Sequence, residues 1–202
     1  RYPNIMRRVS GYNLDEFMTD SSFNLTKMIV GSEGTLCTVT EVKINLVACP
    51  TMTSLSVVHF RDIFGASEAV KDILEHSPSS IEIMDRNVLE RSRASTGLSS
   101  NLDFIEGNPG AMLVVEFYGE TDPELQGKMD NLKADMSRKG HGYACVNLMD
   151  KSAQGSVWAV RKNGLGLLMS MHGDAKPLPF VEDTAVDPEK MGDFVRQFDE
   201  IV

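Results

Sequence analysis

This sequence of 202 residues is short of cysteine and of basic residues, and it has no long apolar run. Its three cysteines, Cys37, Cys49 and Cys145, are widely spaced and form no Cys-x-x-Cys pair. That spacing excludes a zinc knuckle or an iron–sulfur motif built from them and indicates structural thiols in a reducing compartment. No apolar run approaches the roughly 18 residues that a membrane helix needs, and the N-terminus does not resemble a signal peptide. We therefore expect a soluble, cytoplasmic protein.

Positive charge is in the minority. Twenty Lys and Arg residues stand against 29 Asp and Glu, which gives a net charge of -9. Nucleic acid and anionic membrane surfaces repel such a chain, so neither is expected as its main partner, although a local basic cluster can still hold a small anion. Apolar residues, by contrast, make up 42% of the chain, enough for a real core in one large domain or two small ones.

The two ends of the sequence predict that it is a fragment of a longer protein. It lacks a starting methionine, and its last helical pattern runs to Val202 without a capping glycine. Inside the chain, Pro50 ends a strand-like pattern, and proline cannot donate to a sheet ladder. We place a domain boundary there, which divides the chain into residues 1–50 and 51–202.

The pattern along the chain predicts an α+β fold. Residues 36–46 alternate apolar and polar side chains, which is typical of a strand with one wet face. Over residues 55–148 the order is strand, helix, strand, a further helix, then strand, helix, strand. This order indicates a ferredoxin-like antiparallel sheet with helices on one face. Asp85 is placed to cap the helix after it, residues 96–110 are typical of a flexible surface loop, and an amphipathic helix is expected over residues 152–171.

The first place with candidate chemistry is a glycine loop. Gly31 and Gly34 stand three apart, between an apolar run and a β-branched run. Glycine lets another molecule approach the main chain closely, so the amides of this loop can face phosphate or ring oxygens. A turn of this kind is more often a plain connection than a ligand cradle, and both interpretations stay open.

The second place is the late amphipathic helix and the loop that follows it. The helix carries the only tryptophan, Trp158, and then Arg161, whose guanidinium suits bidentate capture of a carboxylate. Arg161 and the adjacent Lys162 form a basic pair, and such a pair on a helix more often lies on a solvent-exposed face. Lys176 is a second candidate for contact with an anion, although a lysine in a loop is more often simply exposed. His172 has no partner at ligand spacing, so no metal site is expected in this chain.

Several motifs in order resemble one known family. They are Ser10-Gly11-Tyr12-Asn13-Leu14, the run Gly31-Ser32-Glu33-Gly34-Thr35-Leu36, Trp158-x-x-Arg161, and Phe180-Val181-Glu182-Asp183-x-Ala185-Val186. Together they resemble the FAD-linked oxidases related to vanillyl-alcohol oxidase, in the branch that holds D-lactate, glycolate and D-2-hydroxyglutarate dehydrogenases. The resemblance covers nearly the whole chain. One position departs from it, since Cys37 stands where that family usually has glycine.

The resemblance implies a role for each part of the chain. Residues 1–50 would be the C-terminal portion of an FAD-binding domain, and residues 51–202 a truncated cap or substrate domain. Arg161 would lie over the flavin and hold the substrate carboxylate, with Lys176 as a second contact. The flavin contacts, mostly through the backbone, would come from Gly31, Ser32, Glu33, Gly34 and Thr35.

The function that the resemblance implies is oxidation of a small D-2-hydroxyacid to the 2-oxoacid by hydride transfer to FAD. Electrons would then pass to a quinone or an iron–sulfur partner, which leaves open a peripheral association with a membrane through that acceptor. A catalytic base, a divalent metal and an iron–sulfur cluster would come from segments outside these residues, so the isolated fragment is expected to be inactive. Two alternatives remain: a non-catalytic α+β module that binds a small ligand or a protein, and an oxidase of the same superfamily that acts on an alcohol or a sugar lactone.

Overall fold

A computed structural model describes residues 11–19, 24–169, 173–174 and 184–202. The chain forms two compact units. The amino-terminal unit is made of residues 1–48 and 179–187, and the sheet unit is made of residues 49–178 and 188–202.

The described part of the amino-terminal unit contains two short helices, α1 (Leu14–Thr19) and α2 (Thr26–Ile29). At the start of α2, the side-chain oxygen of Asn24 accepts a hydrogen bond from the amide of Thr26 at 3.0 Å. Such a bond satisfies one of the amides that the first helical turn leaves without a partner.

The strand predicted over residues 36–46 is wrong. These residues form no regular secondary structure, and their apolar side chains are exposed, Leu46 at 86% and Val42 at 71%. A strand forms only where a neighbour pairs with its backbone groups, and no described strand pairs with this segment. The alternation in the sequence favours an extended backbone, but it does not show whether a neighbouring strand is present to pair with it.

The sheet unit is built on an antiparallel sheet, and the predicted ferredoxin-like fold is confirmed. Its strands are β1 (Met52–Phe60), β2 (Ser80–Asp85), β3 (Ala111–Gly119) and β4 (Ala144–Leu148). Their spatial order is β2-β3-β1-β4, and each neighbouring pair runs antiparallel. The two strands of each predicted strand–helix–strand half are therefore not neighbours but are separated by a strand of the sheet.

All of the helices of this unit except the last begin at a side chain that accepts a hydrogen bond from an amide of the first turn. The Asp62 carboxylate accepts from the amide of Gly65 at 2.8 Å, and the predicted cap Asp85 accepts from the amide of Val88 at 3.1 Å. The helices are α3 (Ile63–Leu74), α4 (Arg86–Ala94), α5 (Asp122–Lys139), α6 (Lys151–Met169) and α7 (Met191–Ile201), with short 3₁₀ turns at Ser99–Asn101 and Pro188–Lys190.

Helices cover both faces of the sheet, so the expectation of helices on one face is wrong. Helices α3 and α5 pack against one face, around Val58 and Phe117, and helices α4 and α6 pack against the other, around Val57 and Val114. Val57 and Val58 are adjacent in the sequence and both fully buried. A strand that buries successive residues is covered on both sides, because successive side chains point to opposite faces.

The predicted loop over residues 96–110 is anchored to the sheet rather than lying free on the surface. Phe104 is 4% exposed and belongs to the core beneath α4 and α6. The buried ring of His59 on β1 has its Nε2 atom 3.1 Å from both the Phe104 carbonyl oxygen and the Glu106 amide nitrogen, so either tautomer ties the loop to the strand. Burial lowers the pKa of His59, which keeps the ring neutral at neutral pH.

A charged network joins α3 to the end of α5 on the surface of the sheet unit. The ammonium group of Lys139 lies 2.7 Å from Asp72, 2.8 Å from Glu75 and 3.2 Å from Asp135. Hydrogen bonds from the His76 ring and from Lys139 hold the pKa of Asp135 well below its usual range. The hydrogen bond from Lys139 likewise lowers the pKa of Asp72. Both carboxylates are therefore more stable in the charged form in the folded protein than in the unfolded chain.

Candidate functional site

The candidate cofactor-binding residues form one tight turn in the amino-terminal unit. Gly31 and Gly34 have φ values of 84° and 75°, and Glu33 between them has a φ of 50°. Glycine adopts this left-handed region without a steric penalty, which accounts for both glycines in the motif. The amide of Thr35 donates to the carbonyl oxygen of Ser32 at 2.9 Å, and the Thr35 hydroxyl donates to the same oxygen at 2.6 Å. These bonds close the turn.

Residues of the upstream motif hold this turn from the side. Because the Thr35 hydroxyl donates its proton to Ser32, the Tyr12 hydroxyl is the donor in the 2.8 Å bond between Tyr12 and Thr35. The side-chain amide of Asn13 donates to the carbonyl oxygen of Val30 at 3.1 Å. The Tyr12-Asn13 pair and the glycine run therefore form one local structure, although 17 and 23 residues separate the bonded partners.

The turn fits a ligand that approaches the main chain. Within the described residues, the amides of Glu33 and Gly34 donate to no acceptor, and both residues are exposed. A Cβ atom added to Gly34 would meet nothing within 4 Å, so the space in front of the backbone is open. Two exposed amides beside open space suit the phosphate or ring oxygens of a dinucleotide such as FAD. Cys37, the position that departs from the family pattern, is also exposed.

The candidate substrate residue Arg161 lies on α6 in the sheet unit. Its Nε atom donates a hydrogen bond to the carboxylate of Glu82 on β2 at 2.8 Å. The Arg161 side chain is 49% exposed and that of Glu82 is 38% exposed, so the pair lies at the edge of the solvent. The two terminal nitrogens of Arg161 have no hydrogen-bond partner among the described residues. A guanidinium held in this way keeps its terminal fork available for a carboxylate.

Helix α6 is fixed firmly beneath this arginine. Gln154 is 3% exposed, and its side-chain amide lies within hydrogen-bond distance of the carbonyl oxygens of Thr53, Leu148 and Met149, at 2.8, 3.3 and 3.0 Å. Val157 and Val160 are fully buried in the core between α6 and the sheet. Trp158, the tryptophan of the family motif, packs against the same core. The direction in which Arg161 leaves the helix is therefore set by a buried anchor and by core packing.

The structure gives a partial account of the predicted site residues. It brings Gly31, Ser32, Glu33, Gly34 and Thr35 together in one turn, and it places Arg161 in the other unit, on a helix as predicted. Lys176, His172 and the Glu182-Asp183 part of the family motif lie outside the described residues, so the predicted contact of Lys176 with the substrate stays a prediction.

Sequence reasoning missed Glu82 and Gln154. Glu82 lies between Ile81 and Ile83, an alternation that places it on a polar position of a strand, but nothing in that pattern points to an arginine 79 residues later. Gln154 lies on the predicted helix three residues before Val157, at a spacing that faces the core. That spacing was the only signal of its anchoring role.

Comparison with known proteins gives the family. The family model described as the C-terminal domain of FAD-linked oxidases matches residues 49–202. The chain belongs to the FAD-linked oxidases. Its relatives include D-2-hydroxyglutarate dehydrogenases of Pseudomonas putida and Escherichia coli, with 31% and 28% identity, each aligned over 98% of this chain but only 20% of the relative. The glycolate oxidase subunit GlcD of Bacillus subtilis is 24% identical over 90% of this chain and 37% of its own length. The chain thus spans a minor part of the curated relatives that it matches.

The described residues also show neither a membrane-spanning helix nor a cluster of metal ligands. Among these residues, no helix has the length and apolar character required to cross a membrane. No three His, Cys, Asp or Glu side chains within the described ranges come together as a group able to hold a metal ion.

Proposed function

We propose that this chain is part of an FAD-dependent dehydrogenase that oxidises a small D-2-hydroxyacid to the 2-oxoacid. D-lactate, glycolate and D-2-hydroxyglutarate are the candidate substrates. The observation that carries the proposal is the state of Arg161: Glu82 holds it through Nε, and its terminal fork is available for a carboxylate. Family membership and the names of the relatives support the same chemistry.

Each part of the chain has a share in this proposal. Residues 1–50 would complete an FAD-binding domain, in which the exposed amides of Glu33 and Gly34 hold the cofactor by its oxygens. Residues 51–202 would form the cap over the substrate. FAD, when bound, supplies the group that accepts the hydride leaving the α-carbon of the hydroxyacid.

Arg161 orients the substrate. Two parallel hydrogen bonds from its terminal nitrogens fix the plane of the substrate carboxylate, and with it the direction in which the α-hydrogen points. Lys176 is proposed as a second contact to the anion. The base that takes the hydroxyl proton and the quinone or iron–sulfur group that receives the electrons would lie outside this chain.

The test is Arg161→Ala in the full-length protein. Hydrogen bonds to charged groups contribute roughly 1.5–3 kcal/mol, so kcat/KM for the preferred hydroxyacid should fall by about tenfold or more while flavin content is unchanged. The matched control is Arg196→Ala, because Arg196 on α7 is also 49% exposed and also pairs with a glutamate, Glu68. The control should keep nearly full activity. An equal and small effect of both substitutions would favour a non-catalytic binding module instead.

A substrate panel run with and without added divalent metal would identify the acid. It should include an alcohol and a sugar lactone, because turnover of either of these rather than a hydroxyacid would place the protein with other oxidases of the superfamily.

A further inference from the structure

The contact between Arg161 and Glu82 restricts how the guanidinium can bind an anion. A guanidinium has five N–H donors in a rigid plane: one on Nε and two on each terminal nitrogen. A carboxylate can bind it from the side, through Nε and one terminal nitrogen, or from the end, through both terminal nitrogens. Since Glu82 accepts the only hydrogen on Nε, at 2.8 Å, binding from the side is blocked and binding from the end remains.

Glu82 is well placed to impose this restriction. It lies on β2, where its backbone is in register with Val114 of β3, a fully buried residue. Arg161 projects from α6, which Gln154 and the core valines fix against the same face of the sheet. Both partners are therefore carried by regular elements rather than by loops. Among the acids that the structure describes, Glu82 is the one that lies within 4 Å of the Arg161 guanidinium.

We propose that Glu82 is a positioning residue that orients Arg161 for end-on capture of the substrate carboxylate. This inference rests on the proposed function of Arg161. Glu82 itself does not touch the substrate. It fixes the torsions of a long side chain before the substrate arrives, so that less rotational freedom is lost on binding.

The charge of Glu82 acts in the opposite direction from its hydrogen bond. The carboxylate partly neutralises Arg161 and weakens its attraction for an anion, whereas the hydrogen bond orients the fork. Two substitutions separate these effects. Glu82→Gln keeps an oxygen that accepts from Nε and removes the charge, and Glu82→Ala removes both.

The experiment measures KM, kcat and flavin content for the full-length protein with the preferred hydroxyacid. An exposed ion pair contributes up to about 1 kcal/mol, so Glu82→Ala should raise KM by about fivefold with little change in kcat. Glu82→Gln should leave KM within about twofold of the original or lower it, because the acceptor for Nε is retained. The matched control is Glu68→Ala, which breaks an exposed glutamate–arginine pair elsewhere in the sheet unit and should leave KM unchanged.

A double substitution tests whether Glu82 acts through Arg161. In the Arg161→Ala background, Glu82→Ala should cause no further rise in KM. A lower KM for both Glu82 variants would overturn the proposal, because it would show that Glu82 competes with the substrate instead of orienting Arg161. A KM for Glu82→Ala equal to that of Glu68→Ala would overturn it as well. If instead Arg161→Ala itself leaves KM unchanged, the proposed function of Arg161 fails, and the positioning role fails with it.

Discussion

The buried amide of Gln154 makes the sharpest prediction about the stability of this fold. Gln154 is 3% exposed, its amide nitrogen reaches three carbonyl oxygens, and its own oxygen accepts from the Thr53 hydroxyl at 2.8 Å. Two of those carbonyls, of Leu148 and Met149, lie where the chain turns from β4 into α6. Gln154→Ala removes the donor and the acceptor together and leaves a gap next to polar groups.

The expected cost follows from counting bonds. An amide nitrogen has two hydrogens, so it satisfies two carbonyls fully at any moment, and the Thr53 hydroxyl makes a third bond. Each such bond contributes about 1 kcal/mol net, and the groups left unpaired add to the loss, so the free energy of unfolding should fall by about 3 kcal/mol. Water entering the gap would reduce this value somewhat.

The assay is urea unfolding of the 202-residue chain followed by far-ultraviolet circular dichroism. The matched control is Gln126→Ala on α5, where the same kind of side chain makes a single exposed bond to Asp130 at 3.0 Å. That substitution should cost less than about 0.5 kcal/mol. If Gln154→Ala costs no more than Gln126→Ala, then Gln154 does not anchor α6, and the account of how Arg161 is fixed is wrong.

Two further predictions concern acid and the cofactor. The pKa values of Asp72 and Asp135 are lowered from 3.8, so the network stabilises the fold above that pH and the stabilisation is lost as the pH falls below it. The Asp72→Asn variant should therefore lose less stability than the original chain when the pH falls from about 5 to about 2, as measured by unfolding titrations. The same dependence of unfolding free energy on pH in both proteins would contradict this. Because this chain covers only 20% of its D-2-hydroxyglutarate dehydrogenase relatives, we expect the 202 residues alone to hold FAD poorly and not to oxidise D-lactate. A yellow purified chain with a flavin absorbance band would refute this.

Local signals in the sequence predicted the elements of the sheet unit well. The cap of α4 is an example, since Asp85 and the amide it binds are three residues apart, and no distant residue is needed to form that bond. The order of strands and helices then limited the topology to a ferredoxin-like sheet, which the structure confirms. The position of Arg161 on a helix, three residues after Trp158, was predictable as well, because the amphipathic pattern of that helix is also local.

Interactions between distant residues explain what the sequence did not predict. Residues 36–46 have the alternation of a strand, but alternation cannot show whether a neighbouring strand is present. The helices on the second face of the sheet could have been expected from Val57 and Val58, because adjacent apolar residues in a strand indicate burial on both sides. The pairing of Glu82 with Arg161 had no such signal, since it depends on where α6 crosses the sheet.

The place of Glu82 on β2 has a consequence for how this region responds to heat. Among the strands that the structure describes, β2 is an outer one, hydrogen-bonded to β3 on one side only. Outer strands open locally at a lower free energy than the centre of a sheet, so the partner of Arg161 can detach while the rest of the unit stays folded. Warming should therefore break the contact between Glu82 and Arg161 several degrees before circular dichroism reports melting, and amide hydrogen exchange at Glu82 should rise over that same interval.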